Sequence, residues 1–333
     1  LVVDNCEQLG DSVGWFSTLL ANAPHIKLLA TSRERLQLSG EWLFHVPELS
    51  EQQAIDLLQK SGKRVAPSLD LDEQDAQAVC EVVGNLPLGI ELAAGWLDFM
   101  TCEQITERIQ RDIDFLARNM RDIPERHRSM RAVFDYSWKL LSEQEQHALM
   151  RLSVFRGGWM VKEANTVAGA NLPLLRTLID KSLVRPTGNG RYDLHELTRQ
   201  YAADKLRKSG LEAEIQELHA ETYVKLAENL LFQGRGTNTY QAFERVEIEM
   251  DNFRALMRWA IDSGTAETAL RLVAWVFIPW LRRGSLLEGE RWWRQAVAAV
   301  GNVEPPVVAQ GLVLLFTFLP VQGRFRGADP CRP

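Results

Sequence analysis

Two apolar runs near the start, LVVD (1–4) and IKLLAT (26–31), each end on a polar residue. Between them, Val13, Phe16, Leu19 and Leu20 recur on one side of a helix-length stretch. Strand, helix, strand in that order is the strongest constraint in the sequence, because it implies parallel pairing. WLFHV (42–46) reads as a further strand. In an open parallel sheet the ligand lies beyond the carboxyl ends of the strands. Asp4 and Thr31-Ser32-Arg33 are therefore expected on one rim.

From Ser50 onward helix punctuation replaces the strand signal, with capping boxes at Ser50/Gln53, Thr101/Gln104 and Ser142/Glu145. Four short helices are expected over 50–128, set apart by SGKRVAPSLD (61–70), by Gly84-Asn85 ahead of Pro87, and by RDIPER (121–126). Residues 129–208 read as helices, then two strand-like runs flanking the hairpin signal Gly188-Asn189-Gly190, then a last helix. Three helices with a hairpin predict a winged helix. Residues 209–310 read as paired helices broken at QGRGTNT (233–239), DSGTA (262–266) and RRGS (282–285), a weak helical repeat. Residues 311–333 are an atypical tail, whose FTFLPVQGRFRGADPCRP (316–333) has no helix periodicity.

At 333 residues, 46% hydrophobic and 25% charged, the chain has the composition of a soluble protein of two or three domains. A net charge of −6 argues against a surface built throughout to neutralise nucleic-acid phosphates. Cys6, Cys80, Cys102 and Cys331 form no metal-ligand spacing, and no signal-peptide pattern opens the sequence. A reducing cytoplasm is the expected compartment. LVAWVFIPWL (272–281) and VVAQGLVLLFTFLPV (307–321) are both too short to span a bilayer, so no membrane partner is expected.

Each candidate site residue has a bland alternative. Asp4 ends a buried strand and could organise Mg²⁺ through water, yet any parallel strand ending in Asp matches that pattern. Arg33 offers a planar fork suited to a terminal phosphate, yet Arg33 and Arg35 could simply pair with Glu34 and Glu41 on a solvated turn. Pro87 suits the first turn of an ordinary helix. His195, between hairpin and last helix, could donate to a phosphate or be structural. Trp259, Trp275, Trp280, Trp292 and Trp293 are read as seam-filling residues between stacked helices.

Taken together, LVVDNCEQL, LLATSRERLQLSGEWLFHVPELS, NLPLGIELAAGWL, FDYSWKLLSEQEQHALMRLSVFRGGW, LIDKSLVRP, RYDLHELTRQYA and MDNFRALMRWAIDSG closely resemble the NB-ARC branch of the STAND signal-transduction ATPases, over about residues 1 to 300. The resemblance implies the C-terminal part of an α/β P-loop NTPase core (1–49), an all-α ARC-type domain (50–128), a winged helix (129–208) and TPR-like repeats (209–310). It implies Asp4 as the Walker B aspartate that organises Mg²⁺, and Arg33 as the arginine that reads the γ-phosphate. Leu86, Pro87 and Leu88 match the motif lining the adenine pocket, and His195 the histidine that contacts the β-phosphate of ADP. The implied cofactors are ATP or ADP with Mg²⁺. The implied partners are an inducer at the helical repeats and further copies of the ATP-bound protein.

Three departures accompany the resemblance. Asn85 replaces a glycine but can adopt the left-handed conformation. Asn5 stands where a second acid is common, leaving Glu7 as candidate base. No GxxxxGK[ST] occurs in the sequence, so the phosphate cradle is expected upstream, in a longer gene product. The expectation is a bacterial transcriptional regulator whose intact form is a slow ATPase, closed with ADP and opening with ATP, while this piece alone is inactive. Two alternatives stand beside it: a nucleotide-independent helical scaffold, and DNA binding through the winged helix. In the family DNA binding belongs to a separate domain.

Overall fold

Parallel pairing at the start of the chain is realised. Strand β1 (Val2–Val3) lies beside β2 (Leu29–Ala30), with Val2 opposite Leu29 and Val3 opposite Ala30. The crossover is a 3-10 segment, Cys6–Gly14, followed by helix α1 (Trp15–Asn22), whose Phe16 is fully buried. The computed structural model describes residues 1–33, 35–117, 129–233, 239–276, 280 and 285–299. WLFHV, expected as a strand, is not one. It runs without ladder pairing, and Trp42, Phe44 and Val46 are exposed. The physical reason is the lack of a neighbour: among the described residues this sheet has only β1 and β2.

The described chain divides into two units, Leu1–Ser153 with Ala168–Gly210, and Val154–Val167 with the residues from Leu211 onward. In the first unit, α2 (Glu51–Gly62), α3 (Glu73–Val82), α4 (Pro87–Ala94) and α5 (Cys102–Arg111) are the four expected helices. Ser50 and Thr101 close the expected capping boxes, and Pro87 occupies the first turn of α4, where no intrahelical N–H is needed. Leu58, Val79, Ile90, Ile105 and Ile109 make their common core. Each such side chain contributes roughly 1.5–3 kcal/mol by leaving water. RDIPER falls outside the described residues.

The unit continues with α6 (Met130–Lys139) and α7 (Glu143–Leu152), the latter starting at the expected Ser142/Glu145 box. After β3 (Trp159–Met160) and α8 (Val161–Ala168) of the second unit, the chain returns as α9 (Leu172–Asp180). A hairpin follows, β4 (Arg185–Gly188) antiparallel to β5 (Arg191–Asp193), its turn carried by Asn189 and Gly190 at positive φ. Last comes α10 (Glu196–Ser209), which sends Leu197 and Tyr201 into the four-helix core.

The second unit is built on α11 (Glu212–Gln233), α12 (Thr239–Ile248), α13 (Met250–Asp262), α14 (Ala266–Trp275) and α15 (Leu286–Ala299). DSGTA is the expected break, with Gly264 left-handed after α13. Phe155, Trp159, Tyr223 and Phe253 fill the core. Fully buried Asn252 ties the 154–167 segment to α13. Its Oδ1 accepts from the Arg156 backbone N–H at 2.6 Å, and its Nδ2 donates to the Gly158 carbonyl and to Glu249, each at 2.8 Å. Trp280 and Trp293 are buried, as seam-filling requires, while Trp259 and Trp292 are half-buried. The tail from 300 onward, and most of RRGS and QGRGTNT, lie outside the described residues.

Candidate functional site

The β1–β2 pairing places the ends of both strands on one edge. Thr31 Oγ1 donates to Asp4 Oδ1, and the Asn5 backbone N–H donates to Thr31 Oγ1 at 3.1 Å. Asn5 adopts a left-handed conformation (φ 57°), which turns the chain into the Cys6–Gly14 segment immediately after the carboxylate. Asp4 stays exposed. An exposed carboxylate beside a hydroxyl at a strand end suits a contact to Mg²⁺ through the metal's water shell. Direct multidentate ligation is a poorer fit, because no group of three or more His, Cys, Asp or Glu converges among the described residues.

Arg33 does not pair with Glu41, whose carboxylate instead accepts from the backbone N–H groups of Leu36 and Gln37 at 3.1 and 3.0 Å. Arg33 instead reaches α6. Its Nη1 donates to Ser137 Oγ at 2.7 Å and to the Val133 carbonyl at 3.4 Å, and the guanidinium lies 5.1 Å from the Tyr136 ring centre. Glu7, buried, sits 3.8 Å from Arg33 Nε, and among the described residues no donor hydrogen-bonds its carboxylate oxygens. Arg35 pairs with Asp180 of α9 at 2.9 Å. A hollow of about 480 Å³ lies here, lined in part by Glu7, Arg35, Thr177 and Lys181.

His195 caps α10, its Nδ1 accepting from the Leu197 backbone N–H at 3.3 Å. The proton is therefore on Nε2, which donates to the Gly84 backbone. Burial, with Arg185 and Arg199 nearby, pushes its pKa down to about 4, so the imidazole is neutral near pH 7. Gly84 (φ +64°) is held to glycine on two counts: its backbone is left-handed, and a Cβ there would fall 1.3 Å from His195 Nε2. Asn85 is also left-handed, at φ 55°, as expected of a stand-in for glycine. Leu86 is the N-cap of α4, and Leu86 and Leu88 pack at the edge of the four-helix core.

The sequence-predicted residues thus fall into two groups. Asp4, Glu7 and Arg33 share one rim, while Leu86, Pro87 and Leu88 share the turn held by His195. Among the described residues no ion pair joins His195 to Asp4. Sequence reasoning missed Ser137, which looks like any other residue of an amphipathic helix. It read Gly84 only as a helix break, although a Gly-Asn pair is the usual signal for consecutive left-handed residues.

The basic residues of the hairpin region are not a phosphate track. Lys181 pairs with Glu145 at 3.0 Å, Arg185 with Asp193 and Glu48 at 3.6 and 3.9 Å, and Arg191 is buried.

No protein-family model matches the chain. The chain is similar to "Putative HTH-type transcriptional regulator Rv0890c" of Mycobacterium tuberculosis, 34% identical over 308 residues, or 88% of this chain and 35% of that protein. The counterpart in Mycobacterium bovis, "Putative HTH-type transcriptional regulator Mb0914c", matches to the same extent. "Uncharacterized protein Rv0894" of M. tuberculosis is 32% identical over 227 residues, covering 63% of this chain and 58% of that one. The chain spans about a third of the length of the regulators it matches. Among solved structures, a Signal Transduction ATPase with Numerous Domains (STAND) protein with a tetratricopeptide repeat sensor, from Pyrococcus horikoshii, aligns over 99% of this chain and 54% of its own, at 14% identity and a TM-score of 0.25.

Proposed function

We propose that this chain is the switch module of a bacterial STAND-type transcriptional regulator, in which an ADP- or ATP-bound core controls a helical ARC-type domain, a winged helix and a TPR-like sensor. The observation that carries this reading is the hold of Ser137 and the Val133 carbonyl on Arg33. In this reading the guanidinium turns toward a terminal phosphate and gives up its Nη1 bonds to α6, which loosens α6 from the rim. Nucleotide state would thereby be converted into the position of a helix. Asp4 would face the metal's water shell, the Leu86–Leu88 turn would contact the base, and a phosphate would draw on His195 only after its release from Gly84. When bound, the nucleotide supplies the negative charge that competes with Ser137 for Arg33. Similarity to HTH-type transcriptional regulators over most of the chain supports an output in transcription. Neutralised basic residues around the hairpin support DNA contact through some other domain.

The test is a titration of the longest protein its reading frame encodes with fluorescent ADP and ATP. Arg33→Ala should weaken ATP by about tenfold or more and His195→Ala should weaken ADP, since each removes a charge-bearing or polar phosphate contact. Unchanged affinities in both variants would refute the site. A second reading, a scaffold that works without nucleotide, is favoured by one observation: His195 Nε2 is already satisfied by Gly84. Absence of any nucleotide binding would leave that reading standing.

A further inference from the structure

Helices α13 and α15 of the second unit face each other as a ladder with one closed rung and one open one. Arg254 on α13 meets Glu288 on α15 in a two-point pair, Nε to Oε1 at 2.6 Å and Nη2 to Oε2 at 2.9 Å. Both carboxylate oxygens are used. One turn on, Arg258 lies with its guanidinium 4.9 Å from the ring centre of Trp292, and Arg291 lines the same space. Neither Arg258 nor Arg291 has a carboxylate within ion-pair distance among the described residues. Between the helices is a hollow of about 340 Å³, lined by Arg258, Glu288, Arg291, Trp292 and Gln295.

We propose that this hollow is a binding site for a small organic molecule carrying an oxyanion, a carboxylate or a phosphate ester, received between Arg258 and Arg291. Glu288 is held at both oxygens by Arg254, which Asp251 shares at 2.7 Å, so Arg254, Arg258 and Arg291 together outweigh the two carboxylates. Two guanidiniums left without an acid among the described residues offer paired forked donors, the arrangement that suits carboxylate and phosphate oxygens. Trp292 supplies an apolar wall already polarised by Arg258, and Gln295 an amide for a second polar group. The volume lies at the small end of ligand pockets, which fits a metabolite rather than a peptide. Binding here does not depend on nucleotide. Assigning the ligand as the regulator's inducer rests on the switch reading above.

Isothermal titration of the 333-residue chain with citrate and, separately, inorganic phosphate distinguishes the two oxyanion sources. Saturable binding of either probe is expected, weakened about tenfold or more in Arg258→Gln/Arg291→Gln with the unfolding midpoint unchanged. Equal affinity in the double variant, or no saturable binding of either probe, overturns the proposal. If the double variant does not unfold cooperatively, Arg291→Gln, at an exposed position, carries the same test. Failure of the nucleotide site would appear separately, as unchanged nucleotide affinity in Arg33→Ala.

Discussion

Replacing Gly84 by alanine should uncouple the turn before α4 from α10. The added Cβ would fall 1.3 Å from His195 Nε2 and 2.3 Å from Cε1, so the ring must move. Left-handed alanine costs about 1 kcal/mol over glycine. A displaced ring gives up its bond to the Gly84 backbone and its cap on Leu197, each worth about 1 kcal/mol. The expected loss is about 3 kcal/mol. Urea unfolding of wild type, Gly84→Ala, His195→Ala and the double variant separates the parts. With His195 already removed, the Gly84→Ala change should cost only the backbone strain, which leaves a coupling energy of about 2 kcal/mol. Costs that add within about 0.5 kcal/mol would mean the two residues do not hold each other, and the reasoning would be refuted.

Stability should fall as pH drops from about 6.5 to 4. The folded chain holds His195 near pKa 4 and His219 near 3, each chiefly through burial, whereas the unfolded chain protonates both near 6.5, so acid favours unfolding through that window. His219→Gln should flatten the slope of the unfolding midpoint against pH. Asn252→Ala should cost about 2–4 kcal/mol by leaving the Arg156 N–H and Gly158 carbonyl unpaired, seen as faster amide exchange at Arg156. Cys80, buried with its pKa pushed up to about 12, should resist alkylation at pH 8 until urea unfolds the chain, as read by peptide mass mapping.

Punctuation made most of the helices legible in advance. The Ser50, Thr101 and Ser142 boxes and Pro87 act within one turn of chain, so local sequence suffices to place them. The hairpin at Gly188-Asn189-Gly190 was readable for the same reason. WLFHV was misread because a strand exists only with a neighbour, which alternation of apolar residues cannot supply. The candidate site residues on strand ends and turns, Asp4, Arg33 and His195, carried a signal through their position in a pattern. Their partners did not: that Arg33 meets Ser137, 104 positions away, is decided by tertiary packing. Likewise, that Arg258 and Arg291 meet no acid among the described residues follows from where Glu288 is spent, which no linear spacing records.

In the proposed switch, Arg33 exchanges Ser137 for a phosphate. The most direct measurement is the ratio of ATP to ADP affinity in Ser137→Ala of the longest protein the reading frame encodes. Removing the competing hydroxyl should free the guanidinium and raise the ratio in favour of ATP by about three- to tenfold, an effect abolished when Arg33→Ala is added. A ratio unchanged by Ser137→Ala, or changed equally with and without Arg33, would contradict it.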